Sequence, residues 1–245
     1  MALNRHGRAG KVLQIEVATI FFIALLAALS AAALGAAGSK SRSFAGGRPS
    51  VYLLNRAGEA AAIWKSFGLK GAVLVHFGDS IATRKMTERE LMPLLKGSGA
   101  GYDQLLASAR SVLNDNNYIY FASRINQVRR VFGVIPDDKW SAVRRKAGRA
   151  SVFSVGGENI SGWIDGLPLV SGPLKNLPQI DEPVVLDFGA DFFKDQTIEP
   201  WRVRTALRRA GLRYHIVTIT PPRKDDPEYE KTMAKIEAFR SYLKQ

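Results

Sequence analysis

The chain has 245 residues, 46% hydrophobic and 23% charged, an ordinary globular composition plus one greasy segment. It has no cysteine, which excludes disulfides, thiolate catalysis and cysteine-ligated metal sites. The formal net charge of +13 predicts a basic, soluble surface that an anionic surface or a protein partner could meet; the cations are dispersed rather than interleaved with aromatics, so nucleic acid is not the expected partner.

Residues 1–16 read as a cytoplasmic N-terminus carrying Arg5, Arg8 and Lys11; His6 carries no signal. Val17 to Ala37 contains no charged residue, and its 21 positions are enough to cross a hydrocarbon core of about 30 Å as a helix. Positive charge before a first span keeps the N-terminus inside, which predicts a single-pass signal-anchor in the cytoplasmic membrane with the remaining chain outside. The alternative is a cleaved signal peptide, since Ala31 to Gly38 offers small residues for cleavage and would leave a secreted or periplasmic protein. Residues 38–50, rich in Gly, Ser, Arg and Lys, read as a flexible tether to a domain over 51–245.

Within that domain Val51 to Leu54 predicts a strand, and Arg56 to Phe67 a helix with Ala60, Ile63, Trp64 and Phe67 on one stripe. Ala72 to Phe77 is an apolar, β-branched run of the kind a buried parallel strand requires. Thr87 with Glu90 three residues on is a capping box that opens a helix to Leu95. Helices are expected over Tyr102 to Leu113 and Tyr118 to Arg130, then a strand over Val131 to Ile135. Asp138 to Ala147 reads as a short helix or arm, and Ala150 to Val155 as a strand before the turn at Gly156-Gly157. Pro183 to Phe188 and Tyr214 to Thr220 are strands, while Pro200 to Ala210 and Tyr229 to Leu243 are helices. This alternation predicts an α/β domain with a mainly parallel sheet covered by helices on both faces.

Several of these segments carry a resemblance. Glu59-Ala-Ala-Ala-Ile-Trp64 with Lys70 to Phe77, Asn116-Asn-Tyr-Ile119 with Val131 to Asp137, Leu177 to Phe193, and His215 to Pro221 resemble, in order, an uncharacterised family of the arginase/deacetylase (ureohydrolase-like) superfamily. The resemblance implies a three-layer α/β/α fold and, in active members, a divalent metal (Zn or Mn) that activates water. Active members place Asp, His and Asp at alternating positions after the first of these strands, where this chain has Gly78, Ser80 and Ala82. A later Asp-x-Asp pair here reads Asp187 and Gly189, with Asp191 nearby. A metal site normally takes at least three protein ligands, so no cofactor is expected. A site using His76, Asp79, Asp187 and Asp191 is the exception to look for.

Phe77-Gly-Asp-Ser-Ile81 is also similar to the Gly-Asp-Ser block of SGNH/GDSL esterases, which implies Ser80 as a nucleophile. That chemistry needs a histidine base held by an acid. After Ser80 the chain offers only His215, inside an expected strand and without an Asp-x-x-His pair.

Bland readings stand beside these. His76 reads as a core or hydrogen-bonded histidine, Asp79 as a turn or helix cap, and Asp187 as a paired buried carboxylate or a remnant ligand. Trp64, Trp140, Trp163 and Trp201 read as core or rim aromatics. Arg202, Arg204, Arg208, Arg209 and Arg213 read as a solvated helix face or as a docking face for an acidic partner. The expected function is a membrane-anchored binding or assembly protein with a degenerate, hydrolase-like pocket built from His76, Gly78, Asp79, Ser80, Asn116, Asp187, Gly189 and Asp191. A serine esterase and an atypical metal-dependent amide or guanidino hydrolase are the alternatives.

Overall fold

A computed structural model of the chain describes residues 48–80, 84–98, 102–148, 153–195 and 197–244. The first half runs β1 (Ser50–Leu53), α1 (Glu59–Ser66), β2 (Ala72–Phe77), α2 (Glu88–Ser98), α3 (Tyr102–Val112), α4 (Tyr118–Arg124) and β3 (Val128–Ile135). Then come α5 (Asp137–Ala147), β4 (Phe153–Gly156), β5 (Asn159–Ile164), β6 (Leu167–Pro173) and a 3-10 turn at Leu174–Asn176. The chain closes with β7 (Val184–Phe188), α6 (Ala190–Lys194), α7 (Pro200–Arg209), β8 (Tyr214–Ile219) and α8 (Tyr229–Leu243).

The strands form one eight-stranded sheet in the order β1-β8-β7-β2-β3-β6-β5-β4. β1 through β6 in that order are parallel, and β5 and β4 add an antiparallel margin. β2 and β7 sit in the middle, which is why both are apolar on both faces. On one face Ile216, Val185, Leu74, Val131 and Leu169 align as a row across five strands. They pack with Trp64, Leu94, Leu105 and Phe121 from α1 to α4. On the other face Val75, Phe77, Leu186, Phe188 and Val217 pack with Phe192, Phe193, Leu207 and Phe239 from α6 to α8. Helices therefore cover both faces of the sheet, as the alternation of elements requires.

Thr87 and Glu90 form the expected capping box: the Thr87 N–H donates to Glu90 Oε2 at 2.8 Å, and the Glu90 N–H donates to Thr87 Oγ1 at 3.3 Å. Two expectations need correction. The helix expected over Tyr118 to Arg130 stops at Arg124, and β3 begins at Val128 rather than Val131. Asn126 takes a left-handed φ of 57° that ends the helix, and the backbone of Asn126 and Gln127 then accepts hydrogen bonds from Gly71 and Ala72. Arg129 and Arg130 both pair with Glu182, so two charges that look helical in sequence sit on the sheet. The hairpin β5–β6 was not expected. Its turn is Asp165-Gly166 with φ of 48° and 85°, the left-handed pair that a two-residue type I′ hairpin demands.

The apolar segment Val17 to Ala37 lies outside the described residues. Among the described residues no helix is long and apolar enough to cross a membrane.

Candidate functional site

One step nearer the carboxyl ends of the strands, the apolar row is followed by a polar one. Thr218, Asp187, His76, Gly133 and Ser171 align across β8, β7, β2, β3 and β6. Alternation along each strand places this row on the same face as Leu74 and Val185, under α1 to α4. A carboxylate here is shielded from water, with Asp187 only 1% exposed, and it must be bonded to be tolerated.

The neighbours supply those bonds. Thr218 Oγ1 donates to Asp187 Oδ1 at 2.6 Å. His76 Nδ1 lies 2.7 Å from Asp187 Oδ2, and the Tyr118 hydroxyl donates to the same oxygen. That hydroxyl also lies 3.2 Å from His76 Nδ1. His76 Nε2 faces the Ser80 carbonyl at 3.1 Å. Both ring nitrogens thus face oxygen atoms. His76, Tyr118, Asp187 and Thr218 are all buried. Burial, and then the Asp187 carboxylate, push the Tyr118 phenol well above its ordinary range, so the phenol stays neutral and donates.

Two of the positions to which the resemblance gives ligand roles, 78 and 189, lie side by side. Gly78 follows β2 and Gly189 follows β7, and the Gly189 N–H donates to the Phe77 carbonyl at 2.8 Å. A β-carbon built on Gly189 would lie 3.9 Å from the Gly78 α-carbon and 4.0 Å from His76 Cε1. A β-carbon on Gly78 would meet His76 Nε2 at 2.6 Å. The imidazole therefore occupies the space that any side chain at position 78 would need. Ala82, the third substituted position, lies outside the described residues.

The remaining expected residues point elsewhere. Asp79 pairs with Lys139 on α5 at 3.1 Å, and Asp191 pairs with Lys194 at 3.2 Å. Ser80 is exposed, and it is its carbonyl, not its hydroxyl, that meets His76. Asn116 is exposed and works through its backbone: its N–H donates to Asn114 Oδ1 at 3.0 Å and its carbonyl accepts from the Arg84 N–H at 2.7 Å. The asparagine that builds the site is Asn117, fully buried, whose Oδ1 accepts the Asn114 N–H at 2.8 Å and whose Nδ2 donates to the Val112 carbonyl at 3.3 Å. It fixes the turn that aims Tyr118 at Asp187. Asp115, in the same turn, has its carboxyl raised by desolvation and then by the nearby Asp191 and Asp187 carboxylates.

Two arrangements considered from sequence are thereby not assembled. The set His76, Asp79, Asp187 and Asp191 does not converge, and among the described residues no group of three or more His, Cys, Asp or Glu side chains could hold a metal ion. The donors present do not fit a catalytic divalent ion either, because both Asp187 oxygens and both His76 nitrogens already have partners. His215 lies three residues before Thr218 on β8, roughly 10 Å back along the strand at about 3.3 Å per residue. β7 stands between that strand and β2, so His215 cannot serve Ser80, which follows the carboxyl end of β2.

Tyr118, Asn117 and Thr218 were missed from sequence as site residues. Tyr118 and Asn117 fall inside the Asn-Asn-Tyr-Ile segment quoted for the resemblance, and Thr218 is a hydroxyl flanked by Ile216, Val217 and Ile219, which is the one signal that could have marked it. No protein-family model matches the chain, and no curated protein matches it.

Proposed function

We propose that this chain is a membrane-anchored, extracytoplasmic binding or assembly protein on an arginase/deacetylase-like α/β/α scaffold. In this reading the strand ends that carry metal ligands in active relatives have become a closed hydrogen-bonded knot. The observation that carries it is the approach of Gly78 and Gly189 across β2 and β7, at positions to which the resemblance gives ligand roles, with the His76 ring in the space that a side chain at 78 would need. A hydrolase needs a reachable base or metal-bound water. His76 and Asp187 are spent on each other, on Tyr118 and Thr218, and on the Ser80 carbonyl. The apolar run Val17 to Ala37 after three cations supports the anchor, with residues 38–50 as the tether.

The test is metal uptake by the full chain, purified without a chelating tag and dialysed in turn against zinc, manganese and iron. Metal at background is the expected result. Near-stoichiometric metal that is lost on Asp187→Ala would overturn the reading and make this a metal-dependent hydrolase.

A further inference from the structure

We propose that the groove between the turn Leu174–Asn176 and helix α7 docks an acidic peptide segment that carries an apolar anchor. The proposal deepens the binding-protein reading and rests on it. The groove is an open surface hollow of about 160 Å³, lined by Leu174 and Ala206 with Trp201 beside them. Leu174 and Ala206 are buried, yet Trp201 is 56% exposed. It stands at the second position of α7, where no packing against the sheet requires it. A large aromatic beside an apolar hollow is the usual anchor point of a protein interface.

The rim is cationic. Lys175, Arg202 and Arg209 line the groove, and no acidic residue does. Each arginine is tethered without being used up. Arg209 donates to the Lys175 carbonyl at 2.6 Å, and Arg202 donates to the Thr197 carbonyl at 2.8 Å. A guanidinium has five N–H donors, so each retains a face for a carboxylate. Tethering also lowers the ordering cost when a ligand arrives. Carboxylates of the chain already meet two of these cations, Glu158 holding Lys175 at 3.0 Å and Asp137 lying 3.9 Å from Arg202, the looser of the two pairs.

The shape selects the occupant. A hollow of about 160 Å³ with an apolar floor accepts an inserted side chain. The cations around an apolar floor then call for carboxylates flanking that side chain. The chain's net charge of +13 steers such a segment from a distance.

The experiment measures fluorescence polarisation of a labelled dodecapeptide alternating Glu and Leu, titrated with the full chain and with Trp201→Ala, Arg202→Glu and Arg209→Glu variants. Controls are a peptide alternating Glu and Gly, a peptide alternating Lys and Leu, and mixed phosphatidylglycerol–phosphatidylcholine vesicles. The expected result is binding of the Glu–Leu peptide alone, weakened about tenfold or more by each arginine reversal and also weakened by Trp201→Ala. Arg209→Glu also removes the bond to the turn, so Trp201→Ala and Arg202→Glu decide the case. Absent binding, unchanged affinity in those two variants, equal binding of the Glu–Gly peptide, or variant-sensitive binding of vesicles instead of peptide would each overturn the proposal. Metal uptake tests the underlying reading separately, so the two can fail independently.

Discussion

Replacing Thr218 by valine removes one hydroxyl from the buried knot and little else. Valine keeps the β-branched shape that β8 uses, and no cavity opens. What disappears is the 2.6 Å bond to Asp187 Oδ1, the oxygen that neither His76 nor Tyr118 reaches. A hydrogen bond to a charged group is worth about 1.5–3 kcal/mol, and a buried acceptor left unpaired costs a similar amount. Thr218→Val should therefore destabilise the domain by about 2 kcal/mol. For a domain of this size that lowers the melting temperature by about 4–8 °C. Thr218→Ser is the control. It keeps the hydroxyl and loses one methyl, which costs about 1 kcal/mol. The assay is urea unfolding followed by tryptophan fluorescence, with a double-mutant cycle against Asp187→Asn to isolate the pair. A Thr218→Val variant within 0.5 kcal/mol of the parent, or one more stable than Thr218→Ser, would refute the view that Asp187 depends on this donor.

The remaining predictions concern the same chemistry and its surroundings. Gly78→Ala should cost about 1–3 kcal/mol, because its β-carbon must displace the His76 ring from 2.6 Å, whereas Gly156→Ala has nothing within 4 Å and should be near neutral. Equal melting points, or unshifted His76 ring nitrogens in the NMR spectrum of Gly78→Ala, would contradict that crowding. Tyr118 has its ionisation raised above the ordinary 10.0, so its contribution to stability is complete below that pH and is lost as pH climbs past it. Spectrophotometric titration should show one tyrosine that ionises only with unfolding, and that component should vanish in Tyr118→Phe; a profile unaffected by the substitution would count against burial of the phenol. Glu90 is held down to about 2, first by Arg84 and then by the Thr87 N–H. Its support of α2 is present above the ordinary carboxylate range and fades as pH falls toward 2, so a carboxyl titration by NMR should find it low in the parent and higher in Arg84→Gln.

How much of the site could be read in sequence depended on what fixes each residue. His76, Gly78, Asp187 and Gly189 were legible because strand alternation and the ends of apolar runs mark them, and those four do meet. Asp79, Ser80 and Asn116 lie in the same short stretches but on turns, where the direction of a side chain follows loop geometry and the nearest countercharge, and Asp191 lies on the short helix α6. Lys139 claims Asp79 from 60 residues away, a pairing with no trace in local spacing, whereas Lys194 meets Asp191 as an i,i+3 pair on α6 that local spacing does contain. Tyr118 approaches from a helix that packs over the sheet, so its role exists only once α4 is placed.

The sequence by itself determined the α/β class, the buried central strands β2 and β7, and the Thr87–Glu90 cap. These rest on hydrophobic periodicity and local hydrogen bonding, which act within a few residues. Only the tertiary structure decided that α4 ends at Arg124, that a hairpin turns on Asp165-Gly166, and that His76, Tyr118, Asp187 and Thr218 close on one another. Sheet pairing brings His76 and Asp187 together from 111 residues apart in the chain. Such contacts are set by strand order and register, and no short window of sequence contains both partners.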